Sequence, residues 1–292
     1  MTVHDLINGA EPNAVALERT LRVHGIPRER VHEVASKLSG AVIEAGAQPA
    51  LVGIVDGVPV LGMTSVDLDA MLARDEVAKV NRANLGVILA TKQWGATTVS
   101  TTVELAHAAG VRVFATGGIG GVHRGYGTRL DISADLAAIA AHAVAVVTSG
   151  CKNILDIAAT REALETLGVP VVGVQTDTFP AFYQRSPGIA IDAKFDDADE
   201  LAAFLAFELH RTGRGVVVCN PIPAEAEIPL EQWNGWLAQA EATTDARGRE
   251  ATPPILAAVH QISQGATVEA NIALARSNAS LAGRLAMSMR SV

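Results

Sequence analysis

Apolar residues fall in short, dense runs separated by longer stretches of helical spacing along most of the chain. Runs at 15–17, 50–55, 111–116, 143–148, 169–175 and 215–219 are rich in Val, Ile and Ala and do not alternate strictly with polar residues. Such runs predict strands covered on both faces, the habit of parallel sheets. Asp56-Gly57 followed by an apolar run at 58–61 predicts a hairpin, so the sheet should be mixed. Val31, Val34, Ala35, Leu38, Val42 and Ile43 recur at helical spacing, and 136–141, 154–167 and 201–210 do the same. Gly110, Gly168 and Gly213 stand where a left-handed residue would close a helix. Beyond Pro221 the pattern is helical throughout, punctuated by Pro253-Pro254. No repeat, charge run or low-complexity stretch marks a linker. The expected fold is α/β: one domain over residues 1–292, a three-layer α/β/α sandwich with a mixed, mostly parallel sheet and a helical C-terminal part.

Composition narrows the partners. With 49% hydrophobic and only 4% aromatic residues, the core should be packed tightly from small side chains. A formal net charge of -8 argues against a nucleic-acid partner, which calls for a basic face. The start MTVHDLINGAEPN lacks the basic and apolar blocks of a signal peptide. No run reaches the roughly 18 apolar residues of a membrane span. Two cysteines, Cys151 and Cys219, make no disulfide framework. The expectation is a soluble cytoplasmic protein without nucleic-acid or membrane partners.

In open α/β sheets ligands bind beyond the carboxyl ends of strands. Four such ends carry polar material here: Glu18, the glycine-rich stretch from Gly117, Lys152 and Asn220. ATGGIGGVHRG, residues 115–125, follows the strongest strand run and combines glycines with His123 and Arg124. Glycines let backbone N–H groups approach an anion, and Arg offers a two-pronged donor for phosphate. A plain turn is the alternative. A dinucleotide fingerprint fails because His123 takes the place of its third glycine, and a P-loop fails for want of Gly-Lys-Ser/Thr. Lys152, in TSGCKNILD, is expected to open a helix, where the macrodipole would lower its amine pKa and favour a Schiff-base nucleophile; a solvated turn lysine reads equally well. Glu18 is either a proton carrier or an ordinary strand-end charge. Asp131 and Asp135, in DISAD with Ser133 as helix cap, suit an oxygen-bound divalent cation. The histidines show no metal spacing, Cys151 lacks a paired histidine, and Trp233 and Trp236 read as packing residues; Trp94 stays open as a stacking platform.

Taken in order, these clusters resemble the pseudouridine-5'-phosphate glycosidase family, also called indigoidine-synthase-A-like, from about residue 14 to 286. FATGGIGGVHRG followed by DISADL carries the resemblance most specifically, joined by ALE…HGIP, GATTVSTT, QTDTFPAFY, NPIP, ATPPIL and ANIAL. The resemblance implies that Lys152 forms an imine with the anomeric carbon of opened ribose 5-phosphate and that Glu18 shuttles protons. It implies Asp131 as ligand of Mn2+ or another divalent cation such as Mg2+. Ser133, Ala134, Asp135, Lys79 and Val99 become substrate contacts, Asn271 the reader of the base edge, and the assembly a homotrimer. A C-glycosidic bond has no leaving oxygen or nitrogen to protonate, so two-carboxylate glycosidase chemistry suits it poorly. An imine as electron sink with a positioned acid/base suits it better.

The chain departs from the family pattern at Arg19, at Ala83 and Asn84 in VNRAN, and at Cys151 and Asn153 beside Lys152. These changes leave a second reading open, a C-ribosylating synthase that joins ribose 5-phosphate to an aromatic, polyketide-type acceptor. Uracil release ranks first because Asn271 is kept. A sugar-phosphate sensor without catalysis ranks behind both, since a sensor has no need of Lys152 and Glu18. Arg19 is expected to point into the pocket.

Overall fold

The computed structural model describes residues 11, 13–18, 30–128, 130–243 and 252–289. In chain order the elements are β1 (Ala14–Leu17), α1 (Val31–Glu44), β2 (Gln48–Val55), β3 (Val58–Leu61), α2 (Ser65–Leu72), β4 (Ala78–Val80), α3 (Leu85–Ala90), β5 (Gly95–Thr97), α4 (Val99–Ala108), β6 (Val113–Ala115), β7 (Val122–His123), α5 (Ala134–Ala141), β8 (Ala145–Thr148), β9 (Leu155–Asp156), α6 (Ile157–Thr166), β10 (Val171–Val174), β11 (Ala193–Phe195), α7 (Ala198–Thr212), β12 (Val216–Cys219), α8 (Leu230–Ala242), α9 (Thr252–Ile262) and α10 (Ala266–Ser288).

The main sheet runs β11-β10-β12-β8-β6-β1-β2-β5-β4, with β3 paired to β2. From β11 across to β2 every pair is parallel, and only β2 with β3 and with β5 is antiparallel. The mixed, mostly parallel sheet expected from the apolar runs is therefore present. So is the hairpin: Asp56 and Gly57 have φ of 50° and 75°, the positive pair a two-residue turn needs to match the twist of its strands.

Successive strand residues enter different cores. Val15 and Leu17 pack with Val113, Val147 and Val216 under α1, α7, α8 and α10. Ala14 and Ala16 pack with Phe114, Val146 and Val217 under α3, α4, α5 and α6. Burial of both faces explains why the strands read as unbroken apolar runs. Helices beyond Pro221 form part of one of the two outer layers. Within it α10 lies so close to α1 that a Cβ on Gly283 would stand 2.6 Å from that of Ala45. The proline pair falls in the first turn of α9, where missing N–H groups cost nothing.

Several elements went unread. Strands β4, β5 and β11 have three residues each, too few to show a period. Helix α2 has a weak apolar stripe, yet its reciprocal Thr64–Asp67 cap was there to be found.

Candidate active site

The four polar strand ends meet. Glu18 follows β1, Gly117 lies just beyond β6, Lys152 beyond β8 and Asn220 next to β12, and these are four consecutive parallel strands of the sheet. The parallel ladder continues past β6 and β8. Gly117 O accepts from Ser149 N (3.1 Å), Gly150 O from Ile119 N (3.0 Å) and Ile119 O from Lys152 N (3.3 Å). The glycine stretch and the lysine segment thus run side by side, which fixes where the lysine stem begins.

Lys152 does not open a helix. Helix α6 starts at Ile157, capped by the Asp156 side chain on Ala159 N (3.0 Å), and Lys152 sits in the preceding loop. The expected macrodipole effect is absent. Burial instead holds the amine below the usual lysine pKa. Glu18 and Asp135 pull the other way, and the positive charge of Lys79 adds to the lowering. Cys151 is fully buried, with its thiol pushed up to about 12 by burial, so it is inert beside the lysine.

Glu18 and Lys152 line one pocket at the carboxyl rim, on the side of the sheet that α1 and α10 cover. It measures about 460 Å³ including its open mouth. Leu17, Leu38, Ala275 and Phe182 make it largely apolar; Thr116, Asn271 and the backbone of Gly117 and Gly118 add polar groups. Glu18 is only 8% exposed, and its Oε1 accepts from the Thr116 hydroxyl. Such a pocket, apolar with few convergent polar groups and a perturbed amine, has the makeup of a small-molecule site.

The other expected contacts sit around it in different ways. Asp135 is buried, and its two oxygens accept from Ser100 N (2.9 Å) and Gly120 N (2.8 Å), joining α4 to the glycine stretch. Ser133 caps α5 by accepting from Asp135 N (3.2 Å), and Ala134 is the first helical residue. Val99 opens α4 with its side chain in the core, so only its backbone is available to a ligand. Lys79 is exposed on β4, and Asn84 secures its carbonyl through Nδ2 (3.0 Å) while Oδ1 accepts from Asn81 N (2.8 Å). The family pattern the sequence resembles has aspartate at 84, which has no donor for the first bond. Arg124 turns its guanidinium onto the lysine loop: Nη2 donates to Asn153 O (2.9 Å) and Nε to Leu155 O (3.3 Å). It braces Lys152's segment and is not among the residues lining the pocket. The glycines, too, are shaped by packing, because a Cβ on Gly118 would lie 2.5 Å from Phe182 and one on Gly121 2.3 Å from Thr160. Trp94 lies beneath the Arg74 guanidinium, 4.1 Å from its ring centre. Arg19 lies outside the described residues.

For a divalent cation, Asp131 and Asp135 do not act as a pair, since Asp135 serves backbone amides. Asp131 is 37% exposed beside His123, Nδ1 to Oδ2 3.9 Å, with His123 N also donating to Asp131 O (3.0 Å). Among the described residues no three His, Cys, Asp or Glu side chains gather as a metal cage. One accessible carboxylate fits a hard ion that keeps most of its water, as magnesium and its like do.

Three pocket-side residues were missed by sequence reasoning. Thr116 was read as strand, although it is the last polar residue before the glycines. Phe182, at φ 53°, forms the wall against Gly117 and Gly118 and belongs to QTDTFPAFY, quoted only for resemblance. Asn278 stands seven residues after Asn271 on the same face of α10 and is fully buried. A carboxamide inside an apolar helical stripe was the available signal.

Fold and site together define an α/β enzyme-like protein with a lysine–glutamate pair at a sheet's carboxyl rim. The chain belongs to the indigoidine synthase A-like family, whose model matches residues 2–288. It is 45% identical to a pseudouridine-5'-phosphate glycosidase of Nocardioides sp. over 97% of this chain and 94% of the relative. A second of that name, from Solibacter usitatus, is 42% identical over 97% and 96%. An indigoidine synthase A-like protein from Thermotoga maritima superposes with a TM-score of 0.88 at 35% identity, covering 97% of this chain and 96% of that one. The prealnumycin C-glycosynthase AlnA, solved with ribulose 5-phosphate, gives 0.89 at 31% identity over 98% and 97%.

Proposed function

We propose that the protein is a pseudouridine-5'-phosphate glycosidase, exchanging pseudouridine 5'-phosphate and water for uracil and ribose 5-phosphate in a reversible reaction. The observation that carries this reading is the convergence of Glu18, Lys152 and Asn271 on one pocket. The neutral Lys152 amine adds to the anomeric carbon as the ring C–O bond opens, the ring oxygen taking a proton and staying on the sugar as a hydroxyl. The carbon–carbon bond then breaks with its electron pair on the base, whose ring carbon takes a proton from Glu18, while the lone pair of the lysine nitrogen forms an imine that water hydrolyses to ribose 5-phosphate and the free amine. Asn271, a donor and acceptor beside the apolar wall of Phe182 and Leu38, suits the edge of a planar base. Lys79 and the first turn of α4 at Val99 offer positive charge and N–H groups to the phosphate. Asp131 would hold the divalent ion, Mn2+ or Mg2+, which when bound would supply positive charge. A cytoplasmic homotrimer is the assembly and setting this reading expects; no helix among the described residues is long and apolar enough to cross a membrane.

The test is incubation with manganese and pseudouridine 5'-phosphate, following uracil by chromatography, with Lys152→Ala as control. Uracil formed only with Lys152 intact supports the glycosidase. The second reading, a C-ribosylating synthase acting on an aromatic acceptor, is favoured by the likeness to AlnA. A borohydride-trapped ribose 5-phosphate adduct on Lys152 without uracil release selects it. Neither product overturns both.

A further inference from the structure

We infer that Asn278 is a positioning residue that sets Glu18 and Lys152 at their working separation, an inference that rests on reading those two as the reacting pair. Asn278 touches neither. Its carboxamide lies beneath the carboxyl ends of β6, β8 and β12 and is wholly buried. Nδ2 donates to Thr116 O (2.8 Å) and lies 3.1 Å from Ser149 Oγ. Oδ1 accepts from Asn220 Nδ2 (2.9 Å). Ser149 in turn donates through its hydroxyl to Asn220 O (2.9 Å), and Asn220 N to Thr148 O (2.9 Å), so three strand ends are tied to one side chain.

Each tie leads to a reacting group. Thr116, whose carbonyl Asn278 holds, is the residue whose hydroxyl donates to Glu18. Ser149 begins the segment that runs beside the glycines to Lys152, its own amide held by Gly117 O (3.1 Å). The same face of α10 supplies Asn271 to the pocket. A buried amide with its donors and acceptor engaged is rigid, because releasing any partner leaves a polar group without water. Lys152 feels Glu18 first among its neighbouring charges, ahead of Asp135, Lys79 and the Cys151 thiol. A shift of Thr116 therefore reaches the amine through Glu18.

The experiment compares Asn278→Ala, Thr116→Val, the double variant and Thr116→Ser in the full chain, with manganese and pseudouridine 5'-phosphate. A misplacement near 1 Å costs about 100-fold in rate, so Asn278→Ala should lower kcat by roughly 10- to 100-fold while KM stays within about threefold. If Asn278 acts through Thr116, the double variant is no slower than the slower single. Thr116→Ser, which keeps the hydroxyl, restores most of what Thr116→Val loses. Parent-like kcat in folded Asn278→Ala, or losses that multiply, overturns the inference.

A second readout keeps its fate apart from that of the glycosidase reading. Glycolaldehyde phosphate condenses with a neutral amine to an imine and water, and borohydride reduces the imine to a stable secondary amine. With Glu18 displaced, the Lys152 ammonium loses its first support, so labelling of Lys152 in Asn278→Ala at neutral pH should rise by about threefold or more, the equivalent of half a pKa unit. Unchanged labelling overturns the inference even where the parent protein releases no uracil; a parent that releases none while the variant shows the rise overturns only the glycosidase reading.

Discussion

Lys152 is subject to opposed demands. As an ammonium it would be steadied by Glu18 and Asp135; as a nucleophile it must be neutral, and burial together with Lys79 favours that form. Since its pKa lies below the usual value, the attacking form is present at lower pH than for a solvated lysine of pKa about 10.4. Adduct formation with ribose 5-phosphate, followed by borohydride trapping across a pH series, should therefore reach its plateau at lower pH than a solvated lysine does, and Glu18→Gln should move the midpoint lower still. A midpoint near that of free lysine contradicts this. Asp135 is held by two backbone amides, and Asp135→Asn sets an NH2 against one of them. Leaving a buried amide unmatched costs about 1–3 kcal/mol. A lowered melting temperature with manganese affinity unchanged is the expected result, whereas Asp131→Asn should weaken manganese binding in calorimetry.

At the scale of elements, the rim is governed by close approaches. Gly150 has φ 76°, and a Cβ there would lie 1.7 Å from Pro180 O. The left-handed backbone alone costs an L-residue roughly 1–2 kcal/mol. Gly150→Ala should thus lower the melting temperature by at least about 2–4 °C and cut adduct formation on Lys152, two residues away. Gly118→Ala, displacing only the Phe182 ring, should spare stability more than it spares turnover, as calorimetry and kinetics together would show. Much of this layer was legible: the apolar runs located the central strands, and the polar residues that end β1, β6, β8 and β12 pointed to the rim. Two things were not. A run of glycines looks the same whether an anion or a neighbouring side chain occupies the space of the missing Cβ. A lysine ahead of a helical stretch does not disclose that four residues intervene, two of them strand β9, because the helical period of residues 154–167 begins ahead of the true start at Ile157.

For the molecule as a whole, covering both faces of the sheet leaves ionisable groups caught at the seams between helices. His142, just after α5, has Nε2 buried with no partner among the described residues, and its pKa is pushed down to about 4, by burial first and then by the charges of His107 and Arg82. An unfolded histidine binds its proton near pH 6.5, so between there and pH 4 the unfolded chain takes up more protons and stability falls as pH falls. His142→Gln should flatten the decline in melting temperature between pH 7 and pH 5; an unaltered slope would contradict that assignment. The order in which the pocket's walls are synthesised adds a further consequence. Glu18, the glycine stretch and Lys152 all leave the ribosome before α10, which brings both Asn271 and Asn278. A nascent chain thus carries Lys152 long before the helix that walls its pocket. The pocket is completed only when α10 is in place, since that helix supplies its Asn271 and Ala275 walls.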